Sequence, residues 1–224
     1  MKYISIAVDG PAGAGKSSVS KAVSRELGFV YIDTGAMYRA VALYAIQCGI
    51  DTTDIKSVIK KLDEINIEIK HVSDGQAIYL NGSDVTTDIR REDVSVGASN
   101  VAVIPEVRTK LVDMQRKMAE NDNVIMDGRD ICSCVLPDAQ IKIFLTASVE
   151  ERAERRFKEL TEKGVECDIE KIKKDIEYRD KNDSTRAVSP LKQTEDAVLV
   201  DTTCLSFNEA VQKILELAKA YMEG

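Results

Sequence analysis

Short apolar runs alternate along the chain with longer segments in which apolar residues recur every three or four positions. The short runs cover residues 3–8, 29–32, 124–126, 140–145 and 197–200. Runs of this length without polar alternation are typical of strands that are buried on both faces. The segments between them, among them 107–118 and 207–221, have helical periodicity. This alternation predicts an α/β fold with a doubly wound parallel sheet of five strands, flanked by helices.

Two segments depart from this alternation. Residues 63–87 alternate at period two, with turns at Asp74-Gly75 and Asn81-Gly82, so we expect a small inserted antiparallel sheet. The segment 148–190 is rich in charge, and its helical pattern is interrupted near Gly164 and ends near Pro190. Charged helices are usually solvated surfaces, but the density of arginine here favours a mobile cover over phosphate groups.

A complete phosphate-binding motif, Gly-Pro-Ala-Gly-Ala-Gly-Lys-Ser, occupies residues 10–17 between the first strand and the first helix. We call this segment the phosphate loop. Gly13 and Gly15 allow the backbone to curl around an anion, and the free N–H groups of the helix N-terminus favour negative charge. Lys16 supplies a cation to the terminal phosphates, and the hydroxyl of Ser17 is a ligand for Mg²⁺.

Charged residues also follow the second and third strands. Asp33 and Thr34 can cap the next helix, and Arg39 lies one turn further along it. The third strand ends in Asp127-Gly-Arg-Asp130, for which a turn with a local salt bridge is the alternative interpretation. Ligands bind at this edge of a doubly wound sheet, and arginine binds phosphate bidentately, so both clusters are candidates for a second phosphate site.

The charged segment contributes two more basic clusters. One holds Arg179, Asp183 and Arg186. The other holds Arg152, Arg155 and Arg156, whose spacing of three and four places them near one helix face.

Composition and charge restrict the class of protein. The chain has 224 residues and a net charge of −7, so bulk charge does not favour nucleic-acid binding. The sequence has no apolar run near 18 residues and no signal-peptide pattern, and its five cysteines are an odd number, so we expect a cytoplasmic protein that does not bind membranes. His71 is the only histidine and lies in an alternating stretch, which predicts a surface strand residue rather than a catalytic base.

Several motifs together resemble the bacterial cytidylate kinase family. They are the phosphate loop, YIDTGAMYR at 31–39, IMDGRD at 125–130, LPDA at 136–139 and RAVSPL at 186–191. The resemblance covers essentially the whole chain and includes the inserted strands. It implies a P-loop kinase that transfers the γ-phosphoryl group of ATP to CMP or dCMP, with Mg²⁺ as cofactor and a monomer as the expected state.

The resemblance also implies a division of one domain, 1–224, into three parts. The core is about 1–34, 105–147 and 190–224, the nucleoside monophosphate-binding region with its insert is about 35–104, and a helical lid is about 148–189. We call the second part the acceptor region and the third part the lid.

Roles for individual residues follow from the same resemblance. The residues implied to bind ATP are Gly10, Pro11, Ala12, Gly13, Ala14, Gly15, Lys16, Ser17 and Ser18, with Arg152, Arg155 and Arg156 from the lid. The residues implied to bind CMP are Asp33, Thr34, Arg39, Ser99, Arg108, Arg129, Asp130, Arg179, Asp183 and Arg186. Within these sets Lys16, Arg39, Arg129 and Arg186 are expected to be catalytic, and Ser17 to hold Mg²⁺ through the nucleotide. Thr34 stands where many relatives have serine, and Ile131-Cys132-Ser133 replaces the more usual hydrophobic-Gly-Thr.

Two other functions remain as alternatives. Another P-loop small-molecule kinase, with a hydroxyl acceptor, would need a positioned base, for which Asp33, Asp127 or Asp130 are available. A nucleotide-dependent switch that reads guanine would be expected to carry an Asn-Lys-x-Asp motif, which the sequence lacks. A nucleotide phosphate acceptor needs no base, because its second pKa is about 6.

Overall fold

Five parallel strands form the central sheet of the computed structural model, which describes residues 3–72 and 75–223. These strands are β1 (Ser5–Asp9), β2 (Val30–Asp33), β6 (Val124–Gly128), β7 (Ile141–Thr146) and β8 (Val198–Asp201). Their spatial order is β2-β6-β1-β7-β8. The predicted parallel sheet is therefore confirmed, and β6 runs two residues beyond the apolar run because it pairs with β1 as far as Gly128.

The register of the sheet determines which residues share its carboxyl edge. Asp9 on β1 pairs with Gly128 on β6, and Asp33 on β2 pairs with Asp127 on β6. The phosphate loop leaves β1 at this same edge. Residues that are far apart in sequence are thereby brought into one row.

Within residues 3–72 and 75–223, eight α-helices flank the sheet or build the acceptor region and the lid. They are α1 (Lys16–Leu27), α2 (Thr34–Gln47), α3 (Ile55–Lys61), α4 (Glu92–Val101), α5 (Pro105–Met118), α6 (Val149–Glu162), α7 (Ile169–Thr185) and α8 (Phe207–Glu223). Side-chain caps start several of them: the carboxylate of Asp33 accepts the N–H of Ala36 in α2, and Ser148 accepts the N–H of Glu151 in α6. No helix in the described ranges is long and apolar enough to cross a membrane.

The insert forms a separate three-stranded antiparallel sheet, as predicted. Its strands are β3 (Ile67–Val72), β4 (Gly75–Leu80) and β5 (Ser83–Asp84), in the order β3-β4-β5. Asn81 and Gly82 both have positive φ, at 50° and 82°, as a tight two-residue hairpin turn requires. Asp74, part of the other predicted turn, lies outside the described residues. His71 belongs to β3, which confirms that this residue lies in a strand.

The apolar core is divided into clusters that differ greatly in size. Two of them cover the two faces of the parallel sheet, with Val8 and Ile143 in one and Ala7 and Met126 in the other. A third joins α2, α4 and α5 to the small sheet. Among the described residues, the cluster between α6 and α7 has three buried members, Ala153, Ile172 and Ile176. The lid thus has a much smaller apolar core of its own than the rest of the molecule.

Candidate active site

A cavity of about 1150 Å³ opens at the carboxyl edge of the sheet, between the phosphate loop, α2, α4 and the lid. It collects most of the residues that the sequence assigned to ATP and CMP. Gly10, Pro11, Ala12 and Arg108 lie behind its wall rather than on it. The assigned residues therefore converge on one site, although they come from segments spread over more than 170 positions of the chain.

The phosphate loop has the left-handed turns that its glycines allow. Gly13 and Gly15 have φ values of 75° and 86°, and α1 begins at the next residue, Lys16. The ammonium group of Lys16 is buried and donates to the carbonyl oxygen of Pro11 at 2.7 Å. Burial, followed by repulsion from Arg129, lowers the pKa of Lys16 to about 7. An anion bound in the loop would restore the charge of this lysine.

A carboxylate on β6 connects the phosphate loop to β2. Asp127 accepts hydrogen bonds from the Ser17 hydroxyl at 2.9 Å and the Tyr31 hydroxyl at 2.8 Å. Burial and the charge of Asp33 raise the pKa of Asp127 to about 6. Asp127 is not among the residues that the resemblance assigns to ATP or CMP, although it belongs to the 127–130 cluster at the strand end. The position of Asp127 at the end of a strand could have indicated a role in the site. In P-loop enzymes the hydroxyl of the loop and an aspartate at a strand end hold Mg²⁺ together.

Asp33 holds two arginines at the start of α2. Its Oδ2 accepts from Arg39 at 2.7 Å and from Arg90 at 3.3 Å. Burial opposes ionisation of Asp33, but the two guanidinium groups prevail and its pKa is lowered. Arg90 follows the small sheet and was missed by sequence reasoning, because no local pattern connects it with β2. Thr34 donates to the carbonyl oxygen of Asp127 at 2.8 Å.

A buried ion pair lies beside the 127–130 turn. Arg108 on α5 donates to Oδ2 of Asp130, and both side chains are almost fully buried. Arg186 places its Nη2 3.3 Å from Oδ1 of the same carboxylate. The guanidinium of Arg108 also lies 5.9 Å from the ring centroid of Tyr38, another cavity residue that the sequence analysis did not select.

Another acidic residue, Asp183, organises the side of the cavity formed by α7. Asp183 accepts from Arg129 at 2.7 Å and from the Ser99 hydroxyl at 3.1 Å. Burial works against the charge of Asp183, but Arg129 outweighs it and the pKa is lowered. Nearby, burial and repulsion from Arg129 lower the pKa of Arg179 to about 10.

The three lid arginines lie along one side of α6 but reach different partners. Arg152 donates to the carbonyl oxygen of Ala12 at 2.8 Å and to Asp180 at 2.6 Å, so it joins the lid to the phosphate loop. Arg155 donates to the carbonyl oxygen of Thr202 at 2.7 Å. Arg156 donates to Glu92 on α4 at 2.7 Å. All three line the cavity.

Several buried donors without a hydrogen-bond partner belong to this site. Among the described residues they include Tyr38 Oη, Arg39 Nε, Arg108 Nε and Arg179 Nε, and also Arg186 Nη2, whose contact with Asp130 is an ion pair at 3.3 Å. A buried polar group left unsatisfied costs about 1–3 kcal/mol, and more when it is charged. The cavity is therefore suited to a ligand rich in hydrogen-bond acceptors, such as a phosphate ester.

Comparisons with known proteins agree with this chemistry. The profile of the family described as "Cytidylate kinase" matches residues 6–220. A cytidylate kinase from Caldicellulosiruptor saccharolyticus is 51% identical over 217 residues, which cover 97% of this chain and 96% of that protein. One from Shouchella clausii is 50% identical, with 98% of each chain covered. A gluconokinase structure from Sinorhizobium meliloti 1021 shares the fold, with a TM-score of 0.53, 14% identity and coverage of 100% and 97%.

Proposed function

Because the chain belongs to the cytidylate kinase family, we propose that its cavity holds ATP on the phosphate loop and CMP or dCMP over the ends of β2 and β6. The protein transfers the γ-phosphoryl group of ATP to CMP or dCMP, giving ADP and CDP or dCDP. The observation that carries the placement of the substrates is the set of buried arginine donors without hydrogen-bond partners at the cavity, Arg39 Nε, Arg179 Nε and Arg186 Nη2. Two phosphorylated ligands that meet there would satisfy these donors.

ATP is assigned to the phosphate loop and the lid. Residues 10–18 hold the triphosphate through free backbone N–H groups of the loop and of the start of α1, and Lys16 neutralises its terminal charge. Arg152 is the lid arginine nearest to the loop, since it already binds Ala12. Arg155 and Arg156 complete the lid side of the site.

CMP is assigned to the acceptor side of the cavity. Thr34, Arg39 and Arg129 hold the phosphate, together with Arg186, and Asp33 keeps Arg39 in position through their 2.7 Å ion pair. Arg179 and Asp183 contact the ribose. Ser99, Arg108 and Asp130 read the cytosine.

The residues beside the phosphate loop fit a Mg²⁺ ion that arrives with ATP. The hydroxyl of Ser17 and the carboxylate of Asp127 are hard oxygen donors 2.9 Å apart, and Mg²⁺ prefers such donors together with nucleotide phosphates. We assign the ion to these two residues. Bound there, it would supply positive charge to the phosphates during transfer.

The mechanism needs no general base from the protein. The acceptor phosphate is largely a dianion at neutral pH, since its second pKa is about 6. The obstacle is repulsion between two anions, which Lys16 and the arginines of the cavity reduce by neutralising charge. The lid excludes water from the cavity and so limits hydrolysis of ATP.

A kinase with a hydroxyl acceptor would use an aspartate of the site as its base. Asp33 is held by Arg39, and Asp130 is held by Arg108, so neither carboxylate is positioned as a free proton acceptor. Asp127 is occupied by Ser17 and Tyr31. These contacts favour a phosphate acceptor.

We also propose the division into core, acceptor region and lid at the boundaries given above. The separate three-residue core of the lid supports it. We further propose a cytoplasmic monomer without a nucleic-acid partner. The odd number of cysteines and the net charge of −7 support the location and the absence of such a partner.

An acceptor panel tests the proposed function. The release of ADP is measured with CMP, dCMP, UMP, AMP and shikimate at equal concentrations. We expect the two cytidine nucleotides to give the highest kcat/KM. Faster turnover of shikimate, or of AMP, would contradict the assignment of the acceptor side.

A further inference from the structure

Asp9 is a buried carboxylate that the mechanism above does not use. It is the last residue of β1, directly before the phosphate loop, and its side chain is hidden from solvent. Its Oδ1 accepts the backbone N–H of Ile131 at 2.8 Å, and its Oδ2 accepts that of Cys132 at 2.9 Å. These are the first two N–H groups of a π-helical turn, Ile131–Val135.

Asp130 immediately precedes that turn. An aspartate in this position ordinarily turns its carboxylate back to accept the N–H groups of its own helix. Within the described residues Asp130 makes no such bond, and its two oxygens face Arg108 and Arg186 instead. Asp9 on β1 accepts the N–H groups of the turn instead, so the carboxylate of Asp130 stays with these two arginines at the cavity.

We propose that Asp9 is a positioning residue for base selection, which keeps Asp130 directed toward the cytosine by capping the 131–135 turn in its place. The inference rests on the proposed role of Asp130 in reading the base. Because Gly10 follows Asp9, the same residue also fixes this turn relative to the start of the phosphate loop.

Two further observations support this role. Burial raises the pKa of Asp9 to about 6, so ionising this carboxylate costs free energy. Its two hydrogen bonds to the turn offset part of that cost. The turn is also anchored to the sheet by Cys132, whose thiol lies 3.6 Å from the carbonyl oxygen of Ala7 and 3.8 Å from that of Ile143.

The variant Asp9→Asn tests the inference with little change in volume. The amide oxygen of the asparagine still accepts one backbone N–H of the turn. Its NH₂ group cannot accept the second N–H, which therefore becomes available to the carboxylate of Asp130. We expect the ratio of kcat/KM for CMP to that for UMP to fall at least about tenfold, the equivalent of one lost hydrogen bond. The loss should appear in the KM for CMP, with the KM for ATP changed by less than about threefold.

A double-mutant cycle distinguishes positioning from general damage. If Asp9 acts through Asp130, the Asp9→Asn/Asp130→Ala variant should show the CMP-to-UMP ratio of Asp130→Ala alone, within about threefold. Val8→Ala is the matched control. Val8 is fully buried beside Asp9 but packs on the other face of the sheet, so its truncation destabilises the core without touching the turn. It should leave the ratio unchanged.

The outcomes separate the inference from the proposed function. A wild-type ratio in Asp9→Asn together with a reduced ratio in Asp130→Ala would overturn the role of Asp9 and leave the proposed function standing. Unchanged ratios in both variants would overturn both.

The wild-type enzyme provides the test if Asp9→Asn does not fold. The charged and titratable groups that face Asp9 are Asp130 and Cys132 on the turn and Lys16 at the start of α1. The phosphate titration is common to CMP and UMP and cancels in their ratio. We expect that ratio to fall as the pH drops below about 6, where Asp9 takes up a proton. A constant ratio between about pH 5 and 8 would overturn the inference.

Discussion

Arg156 on α6 donates a hydrogen bond to Glu92 on α4 at 2.7 Å and thereby joins the lid to the acceptor region across the cavity. The same arginine donates to Glu159 on its own helix at 2.8 Å. A second contact, from the Tyr178 hydroxyl to Asn100 at 2.9 Å, joins α7 to α4. In this structure the lid therefore contacts α4 of the acceptor region through polar side chains.

Glu92→Gln should loosen the lid without impairing chemistry. Both partners of the ion pair are partly exposed, so its loss should cost at most about 1 kcal/mol. We expect backbone amides of α6 to exchange hydrogen about two- to fivefold faster, as that cost allows, and kcat to change by less than about threefold.

The control is Glu159→Gln, which removes the partner of Arg156 on the same helix and keeps the link to α4. Exchange in α6 should then match the wild type. Equal exchange in both variants, measured by mass spectrometry, would show that the Arg156–Glu92 pair does not hold the lid.

Lys16→Ala should abolish phosphoryl transfer while the protein stays folded. Lys16 acts on phosphates, and its only hydrogen bond within the described residues is to the Pro11 carbonyl oxygen. The measurement is turnover at saturating ATP and CMP, with circular dichroism to confirm folding. Turnover near the wild-type rate in a folded variant would contradict the assignment of the ATP site.

ATP binding should be accompanied by proton uptake at Lys16. Its pKa of about 7 means that the free enzyme carries this lysine mostly neutral at about pH 8. The triphosphate favours the charged form and raises that pKa, so about one proton is taken up per ATP at about pH 8. Calorimetry in two buffers of different ionisation enthalpy measures this uptake.

Lys16→Met is the control for the proton count, because it keeps the length of the side chain without its amine. We expect this variant to bind ATP more weakly than the wild type. The number of protons taken up per ATP bound should be less than half that of the wild type. An identical uptake in both proteins would place the titrating group elsewhere.

His71→Ala should leave kcat almost unchanged. The only histidine belongs to β3 of the small sheet, and the acceptor phosphate needs no deprotonation near neutral pH. Steady-state kinetics of the variant are sufficient. A loss greater than about a hundredfold, the lower end of a general-base effect, would show that the mechanism is wrong.

Sequence reasoning found the features whose signal is local. A few consecutive residues are enough to predict the phosphate loop, the cap at Asp33 and the hairpin turn at Asn81-Gly82. Parallel strands appeared as short apolar runs, and only their ends were displaced by one or two residues. The prediction of the small sheet succeeded for the same reason, since period-two alternation survives in the sequence.

The missed features depend on contacts between distant segments. Asp9 meets Ile131 across 122 positions, and Tyr31 meets Asp127 across 96, because the strand register brings them together. Arg90 reaches Asp33 only through the folded insert. No spacing rule could have paired Arg108 with Asp130, and the family resemblance alone placed both in the CMP site.

The most direct test of the account compares how two variants treat CMP and UMP. Cytosine offers an N4 donor and an N3 acceptor, and uracil reverses both, so a carboxylate and a guanidinium can tell them apart. Asp130 retains lone pairs beyond its bond to Arg108, and Arg108 retains an unpaired Nε among the described residues. Arg39, in contrast, is assigned to the phosphate that both substrates carry.

The measurement is kcat/KM for CMP and UMP in Asp130→Ala and in Arg39→Ala, with thermal unfolding to confirm that both variants fold. We expect Asp130→Ala to lower kcat/KM for CMP at least about tenfold more than for UMP, since an unsatisfied buried group costs about 1–3 kcal/mol. We expect Arg39→Ala to lower both about equally. An equal loss for both substrates in Asp130→Ala, with a selective loss in Arg39→Ala, would contradict the assigned roles of these two residues.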